Sequence, residues 1–260
     1  MTIDFDKVNS ILINGTEVKS IDINGVEAWR SQAVEPFYVE DITGLSSTLT
    51  IKKDDAFSPT IQVYYSKDGI EWNSMGSTST SGISVEVPGR SKIYLKATAN
   101  AWGSSISVCN TINVSGAHIV GGNIMSLLYG DDFLNKPISK AYAFVRLFNG
   151  DVTLNDAGRL ILPKNTYNTC YYEMFQNCTS LTIAPRLLAP TTARQCYEKM
   201  FNGCTNLKAI TSLATDLSGS QCMDNWVQDV GVGGIFYKVK GITYSKGVSG
   251  IPNGWSVVDV

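Results

Sequence analysis

The sequence has little charge and almost no histidine, and both shortages narrow the chemistry that it could support. Its 260 residues include 21 Lys and Arg, 23 Asp and Glu, and one histidine. The net charge of −2 provides no overall basic field for nucleic acid or anionic lipid, so neither partner is expected. A Ser-His-Asp or Cys-His system could use only His118, and no Gly-x-Ser-x-Gly elbow accompanies it. We therefore interpret His118 as a linker or satisfied structural residue.

Other signals are missing as well. No apolar run reaches the length of a membrane helix, and the first residues are acidic where a secretory signal is cationic, so we expect cytoplasmic assembly without membrane insertion. The cysteines lack Cys-x-x-Cys spacing, and the glycine pairs lack the Lys-Ser/Thr of a phosphate loop. The acid pairs Asp54-Asp55 and Asp131-Asp132 could be imagined as glycosidase carboxylates but are interpreted as loop charges. The sequence thus predicts no catalytic residue, metal site or cofactor.

The surface is expected to be polar rather than charged. Charged residues make up 17% of the chain, below the roughly 25% of typical soluble domains. Ser, Thr, Asn and Gly fill the difference. This composition is typical of a β-rich, extracellular surface.

Residues 1–31 contain a ten-residue duplication centred on two Asn-Gly pairs. These pairs, between apolar segments, predict two type I′ turns and a three-stranded β-meander. Such a meander buries too little apolar area to be stable alone, so we predict an anchor or oligomerisation module. The candidate anchor side chains are Ile11, Ile13, Ile21, Ile23 and Trp29.

Residues 37–116, after a polar linker at 31–36, have an all-strand pattern that indicates an immunoglobulin-like β-sandwich. Alternation of apolar and polar residues places one face of each strand inside. We expect Trp72, Trp102 and Trp255 to be core anchors. The predicted strands are Thr48–Lys52, Thr60–Ser66, Ile70–Asn73, Ser84–Val87, Lys92–Thr98 and Ser105–Val114.

Residues 117–260 contain an internal repeat. The motif Cys-Tyr-x-x-Met-Phe-x-x-Cys-Thr-x-Leu occupies residues 170–181 and recurs at residues 196–207. A constant period of this length predicts a solenoid whose last unit and tail act as a cap. Helical spacing would place five residues on one buried stripe, with the cysteines as reduced packing residues. These five residues are Cys170, Tyr171, Met174, Phe175 and Cys178.

The outward positions of the same units are candidate binding residues. They are Tyr172 and Gln176 in the first motif, with Glu198 and Asn202 at the equivalent places in the second. A sugar ring could stack on the tyrosine while the amides and the carboxylate bind its hydroxyls. The alternative interpretation is that Tyr172 only decorates the surface of the solenoid.

The segment Gly122–Gly130, together with the Cys-Tyr-x-x-Met-Phe-x-x-Cys-Thr units, resembles the BspA-type leucine-rich repeat proteins of gut bacteria and their phages. The segment Val248–Trp255 is similar to their terminal cap. The opening Ile-Asn-Gly hairpins resemble N-terminal modules of phage tail and fibre proteins, including those of crAss-like phages. The resemblance covers nearly the whole chain and implies surface binding without catalysis.

These features predict a mainly β chain with a C-terminal α/β solenoid, built as a β-meander, an immunoglobulin-like β-sandwich and a short leucine-rich repeat array. The resemblance implies a non-enzymatic capsid (head) fibre or tail fibre on the virion surface that displays a host-surface or glycan-binding domain. Residues 1–31 would attach it to capsid or tail proteins as a homotrimer. The alternatives are a BspA-type bacterial adhesin, which would need an export signal, and a capsule depolymerase.

Overall fold

The computed structural model describes residues 34–260 and the backbone of four short strands between residues 11 and 30. The chain divides into two compact units, residues 1–35 and residues 36–260. The mainly β fold class is confirmed, because strands make up most of the regular structure in both units.

The first unit contains two β-hairpins. β1 (Ile11–Ile13) pairs antiparallel with β2 (Thr16–Val18), and β3 (Ser20–Ile23) pairs antiparallel with β4 (Val26–Arg30). Each pair is a separate two-stranded sheet, so among the described strands two hairpins replace the expected three-stranded meander. In both hairpins the last strand pair leaves two residues for the turn, as the Asn-Gly pairs predict.

The turn conformations and the anchor side chains of this unit lie outside the described residues. Their predicted roles therefore stay predictions. The anchor residues concerned are Ile11, Ile13, Ile21, Ile23 and Trp29.

The second unit is built almost entirely of short strands joined by turns. Its one α-helix is a single turn, α1 (Ser126–Tyr129), followed by a 3-10 turn at Gly130–Asp132. The strands are β5 (Tyr38–Asp41), β6 (Ser47–Lys53), β7 (Gln62–Ser66), β8 (Asn73–Ser77), β9 (Ile83–Val87), β10 (Lys92–Ala97), β11 (Asn110–Val114), β12 (His118–Asn123), β13 (Leu154–Ile161), β14 (Ala209–Ser212), β15 (Ile235–Lys238) and β16 (Ser256–Asp259).

The strands between residues 38 and 161 form two sheets over a common core. One has the order β13-β12-β5-β10-β7-β8 and the other the order β11-β6-β9. The alternation expected from the sequence is confirmed in β10, where Ile93, Leu95 and Ala97 are buried while the residues between them are partly exposed. Burial of these apolar faces, at about 25 cal/mol per Å² of area removed from water, is the main stabilising contribution.

β12 joins the antiparallel strands to the repeat region. It pairs antiparallel with β5 and parallel with β13, so one sheet crosses the boundary predicted between residues 116 and 117. Single bridges at Ile183 continue the parallel pairing from β13 to β14, and β15 and β16 follow. The repeats therefore extend the edge of the same sheet.

Three local expectations for residues 37–116 are wrong. The strand predicted at Ser105–Val114 begins only at Asn110. Residues 70 and 71 lie in a bend and residue 72 precedes the next strand, because the Asp68 carboxylate accepts the backbone N–H groups of Ile70 and Glu71 at 2.8 and 2.9 Å. Trp72, expected in the core, is partly exposed, and the Lys96 ammonium lies 4.2 Å from its ring centroid. The core positions of Trp102 and Trp255 are confirmed.

The core of the repeat region contains columns of aromatic rings. Phe148, Phe175 and Phe201 stack with centroids 5.3 and 5.7 Å apart. The rings of Tyr171 and Tyr197 stack in a second column. Each such pair contributes about 0.5–1.5 kcal/mol beyond the area that it buries.

All six cysteines are buried and free, which confirms them as reduced packing residues. The Cys178 thiol donates to the Phe148 carbonyl at 3.0 Å, and the Cys204 thiol donates to the Phe175 carbonyl at the same distance. Burial raises the pKa of Cys170 to about 12 and that of Cys109 to about 11, so both thiols are protonated at neutral pH.

Candidate binding surface on the stacked turns

The repeat units are chains of four-residue turns. In the first motif unit, Thr169, Glu173 and Asn177 have positive φ angles of 52–61°, so the left-handed conformation returns at every fourth residue. The neighbouring units repeat this spacing, with Tyr142, Arg146 and Gly150 before, and with Gln195, Lys199 and Gly203 and then Gln221, Asn225 and Asp229 after. A left-handed residue other than glycine costs about 1 kcal/mol or more.

Alternate backbone N–H groups hold the turns and join the units. The amides of Met174 and Gln176 donate within the unit, to the carbonyls three residues back. The amides of Glu173 and Phe175 donate to the next unit, to the carbonyls of Glu198 and Met200 at 3.0 and 2.9 Å. Each such bond contributes about 1 kcal/mol, which offsets the left-handed conformations.

The predicted helix in each unit is therefore wrong, although its buried stripe is confirmed. Cys170, Tyr171, Met174, Phe175 and Cys178 are all at most 1% exposed. Their spacing of one, three, one and three residues repeats after four, which fits the four-residue turn better than a helix with 3.6 residues per turn.

The register expected for the four candidate residues agrees with the stacking of the units. Phe175 stacks on Phe201, its equivalent in the second motif, so Tyr172 and Glu198 take one equivalent position and Gln176 and Asn202 take another. Two of the candidates are less accessible than expected, because Tyr172 is 6% exposed and Glu198 is 9% exposed.

Tyr172 is not an open stacking platform, which corrects the expectation. Its ring packs with Val145 and Cys109 in a small apolar cluster. The Lys199 ammonium donates to its hydroxyl at 3.2 Å and lies 5.5 Å from its ring centroid. Burial raises the pKa of Tyr172, and the hydrogen bond to Tyr172 raises the pKa of Lys199, so the pair is a neutral phenol beside a cation.

Glu198 is held within its own unit. Its carboxylate accepts a hydrogen bond of 2.8 Å from the Gln195 amide. With most of its surface covered and one oxygen engaged, Glu198 has little left to offer a ligand. Glu198 is therefore less accessible to a ligand than the candidate residues Gln176 and Asn202.

Gln176 and Asn202 belong to a row of side-chain amides that crosses three units. The Asn149 amide donates to Gln176 Oε1 at 2.9 Å, and the Gln176 amide donates to Asn202 Oδ1 at 3.4 Å. All three side chains are partly exposed. We call Asn149, Gln176 and Asn202 the amide row.

A row of charges lies beside the amide row, at the left-handed positions Arg146, Glu173 and Lys199. The Glu173 carboxylate is 3.3 Å from Arg146 Nε and 3.6 Å from Lys199 Nζ, and 12% of its side chain is exposed. Sequence reasoning missed this row. Its signal is the recurrence of charges of alternating sign at nearly the period of the repeat.

The two rows form a fixed polar surface across three stacked units. The amide row presents both donors and acceptors, while the charge row is mutually neutralised apart from one excess cation. Such a surface can hydrogen-bond a polar chain that runs along the stack.

His118 lies in β12 and is fully buried, so the linker interpretation is wrong and the structural interpretation fits only in part. Its Nδ1 donates to the Gly116 carbonyl at 3.0 Å. Its Nε2 is 3.5 Å from the Asp151 carboxylate and has no hydrogen-bond partner among the described residues. Burial lowers the pKa of His118, while the Asp151 and Asp41 carboxylates oppose that shift.

The other candidate chemistry of the sequence is dispersed. The acid pair at residues 54 and 55 is exposed in a loop, and Asp131 and Asp132 pair with Lys96 and Lys136 at 2.7 Å each. Within residues 34–260 and the four N-terminal strands, no group of three His, Cys, Asp or Glu residues could hold a metal ion.

Across the same residues, every helix falls short of the length and apolarity needed to traverse a bilayer.

Comparison with known proteins identifies no relative. No family model, curated protein or solved structure matches the chain significantly.

Proposed function

We propose that the chain is a non-enzymatic structural and adhesive protein of a bacteriophage particle, a capsid (head) fibre or tail fibre that displays a glycan-binding surface to the host. The observation that carries this proposal is the amide row, because fixed donors and acceptors repeated along a stack suit a repetitive, hydroxyl-rich ligand. Its location would be the virion surface.

The proposal includes a finer description of the fold. The two sheets over one core would be an immunoglobulin-like spacer, and the stacked turns would be a short leucine-rich repeat solenoid of the BspA type. The parallel bridges through Ile183 and the hydrogen bonds between successive units support the solenoid. The antiparallel pairing in both sheets supports the spacer.

Residues 1–31 would attach the chain to capsid or tail proteins and join three copies. Two isolated hairpins have little capacity to bury apolar area, which favours assembly with other chains. Light scattering should give the mass of a trimer for the full chain and of a monomer for the Ile13→Lys/Ile23→Lys double variant. A full chain that is itself monomeric would contradict the homotrimer.

The test of the non-enzymatic assignment is incubation of the full chain with capsular polysaccharide from gut bacteria. We expect polysaccharide to sediment with the protein and no reducing ends to be released. Steady release of reducing ends would identify a depolymerase and overturn the assignment.

A further inference from the structure

A cleft of about 330 Å³ lies beyond the carboxyl ends of the parallel strands β12 and β13. The last pair of these strands joins Asn123 to Ile161, and the residues that follow both strands line the cleft. In open sheets with parallel strands, ligands commonly bind in the crevice outside the carboxyl ends. The position is separate from the amide row, since the two share no lining residue.

The walls of the cleft are fixed by backbone and side-chain hydrogen bonds. The Asn165 side chain accepts the Ile138 N–H at 3.0 Å and donates to the Ile138 carbonyl at 2.9 Å, which ties the loop after α1 to the end of β13. Asn123 Oδ1 accepts the Met125 N–H at 3.0 Å. A ligand would therefore meet a preformed site.

Two cations face this cleft from different segments. Lys136 pairs with Asp132 at 2.7 Å, and that aspartate is mostly exposed. Lys164 forms no ion pair and no side-chain hydrogen bond with any other residue that the structure describes. In a chain with a net charge of −2, the cleft is thus a local positive site, where no carboxylate of the described residues pairs with Lys164.

The rest of the lining suits a sugar ring. Pro137, Pro163 and Leu188 provide apolar surface, while Asn123 and Asn135 provide amides for hydroxyl groups. The volume lies within the range of small-molecule sites, about 300–1,000 Å³.

We propose that this cleft binds a carboxylate-bearing sugar, with Lys164 as the main partner of the carboxylate. The site is additional to the amide row and does not depend on it.

The experiment is an amide chemical-shift titration of the full ¹⁵N-labelled chain with glucuronate, with glucose as the neutral sugar and acetate as the carboxylate without a ring. We expect saturating shifts at the amides of residues 135, 136, 161, 162, 164 and 165 with glucuronate, and at least about tenfold weaker binding of glucose and acetate. Glucuronate that fails to shift these amides, or binds no more tightly than glucose or acetate, would overturn the proposal.

Two variants with the same change of charge test whether Lys164 is the residue that binds the carboxylate. Lys164→Gln should weaken glucuronate binding by about tenfold or more, because it removes a charge-assisted hydrogen bond. Lys140→Gln makes the same charge change at an exposed lysine outside the cleft and should leave affinity within about twofold. Equal effects of the two substitutions would contradict a specific site. Thermal unfolding of both variants checks that each is folded.

The outcome is distinguishable from that of the proposed function. Loss of polysaccharide binding through the amide row would leave the glucuronate shifts at residues 161, 162, 164 and 165 unchanged. Shifts confined to Gln176 and Asn202 would support the amide row and overturn the cleft proposal.

Discussion

The Tyr171 and Tyr197 rings, which take the same place in the two motifs, stack with centroids 5.8 Å apart and planes only 4° from parallel. Both side chains are at most 1% exposed. Near-parallel stacking of equivalent residues means that successive units have the same conformation and the same register. Substitutions at equivalent positions of different units can therefore serve as controls for one another.

Phe175→Ala should destabilise the compact unit of residues 36–260 by about 3–5 kcal/mol, because it removes a fully buried ring and its contacts with Phe148 and Phe201. The measurement is the free energy of unfolding by chemical denaturation. Tyr167→Ala, at a ring that is 43% exposed, should cost less than about 1 kcal/mol. Equal losses would contradict the aromatic column.

Gly203→Ala should destabilise more than Gly150→Ala, although both glycines take the same position in their turns. Their φ angles are +76° and +75°, so alanine strains both equally, by about 1 kcal/mol. A Cβ at Gly203 would also overlap Asn177 Oδ1, whereas a Cβ at Gly150 meets open space. Denaturant midpoints of the two variants check the order, and a larger loss at Gly150 would contradict the stacking.

Stability should fall as pH decreases from 7.5 to 5.5 because of His118. Burial lowers the pKa of His118 in the folded state below its usual value of 6.5, so the unfolded chain binds more protons in this window. The slope can reach about 1.4 kcal/mol per pH unit. Since His118 is the one histidine in the chain, His118→Gln should flatten the profile. An unchanged slope would contradict the assignment.

Glu173→Gln should destabilise by about 1 kcal/mol at low salt, because the carboxylate lies between Arg146 and Lys199. The loss should shrink in 1 M NaCl, where the Debye length is about 3 Å. Unfolding free energies at both salt concentrations test this. Glu71→Gln, at an exposed carboxylate, serves as the matched control and should change stability by less than about 0.5 kcal/mol.

The period of the repeat, the buried residues within it and the alternating strands could be predicted from the sequence because periodicity and burial are local properties. The turns could not. Residues 170, 171, 174, 175 and 178 have a spacing that a helix and a four-residue turn both accommodate. The left-handed conformation at Glu173 has no local signal, since neither glycine nor a turn-forming residue stands there.

The candidate surface could be predicted from the sequence only where it follows the period of the repeat. The equivalence of Gln176 and Asn202 follows from the period, but the burial of Tyr172 depends on Cys109, which precedes β11 and lies far from the motif in the sequence. Lys136 and Lys164 meet at one cleft only because β12 and β13 pair in parallel. Contacts between distant segments of this kind leave no periodic pattern in the sequence.

The proposed adhesive role of the amide row is tested most directly by flow cytometry, as binding of the fluorescently labelled full chain to intact gut bacteria. The wild type is compared with Gln176→Ala/Asn202→Ala, and Asn73→Ala, at an exposed asparagine in β8, serves as the control. We predict binding to at least one strain, its loss in the double variant and its retention in the control. Binding of the double variant at the wild-type level, or no binding to any strain, would contradict this role.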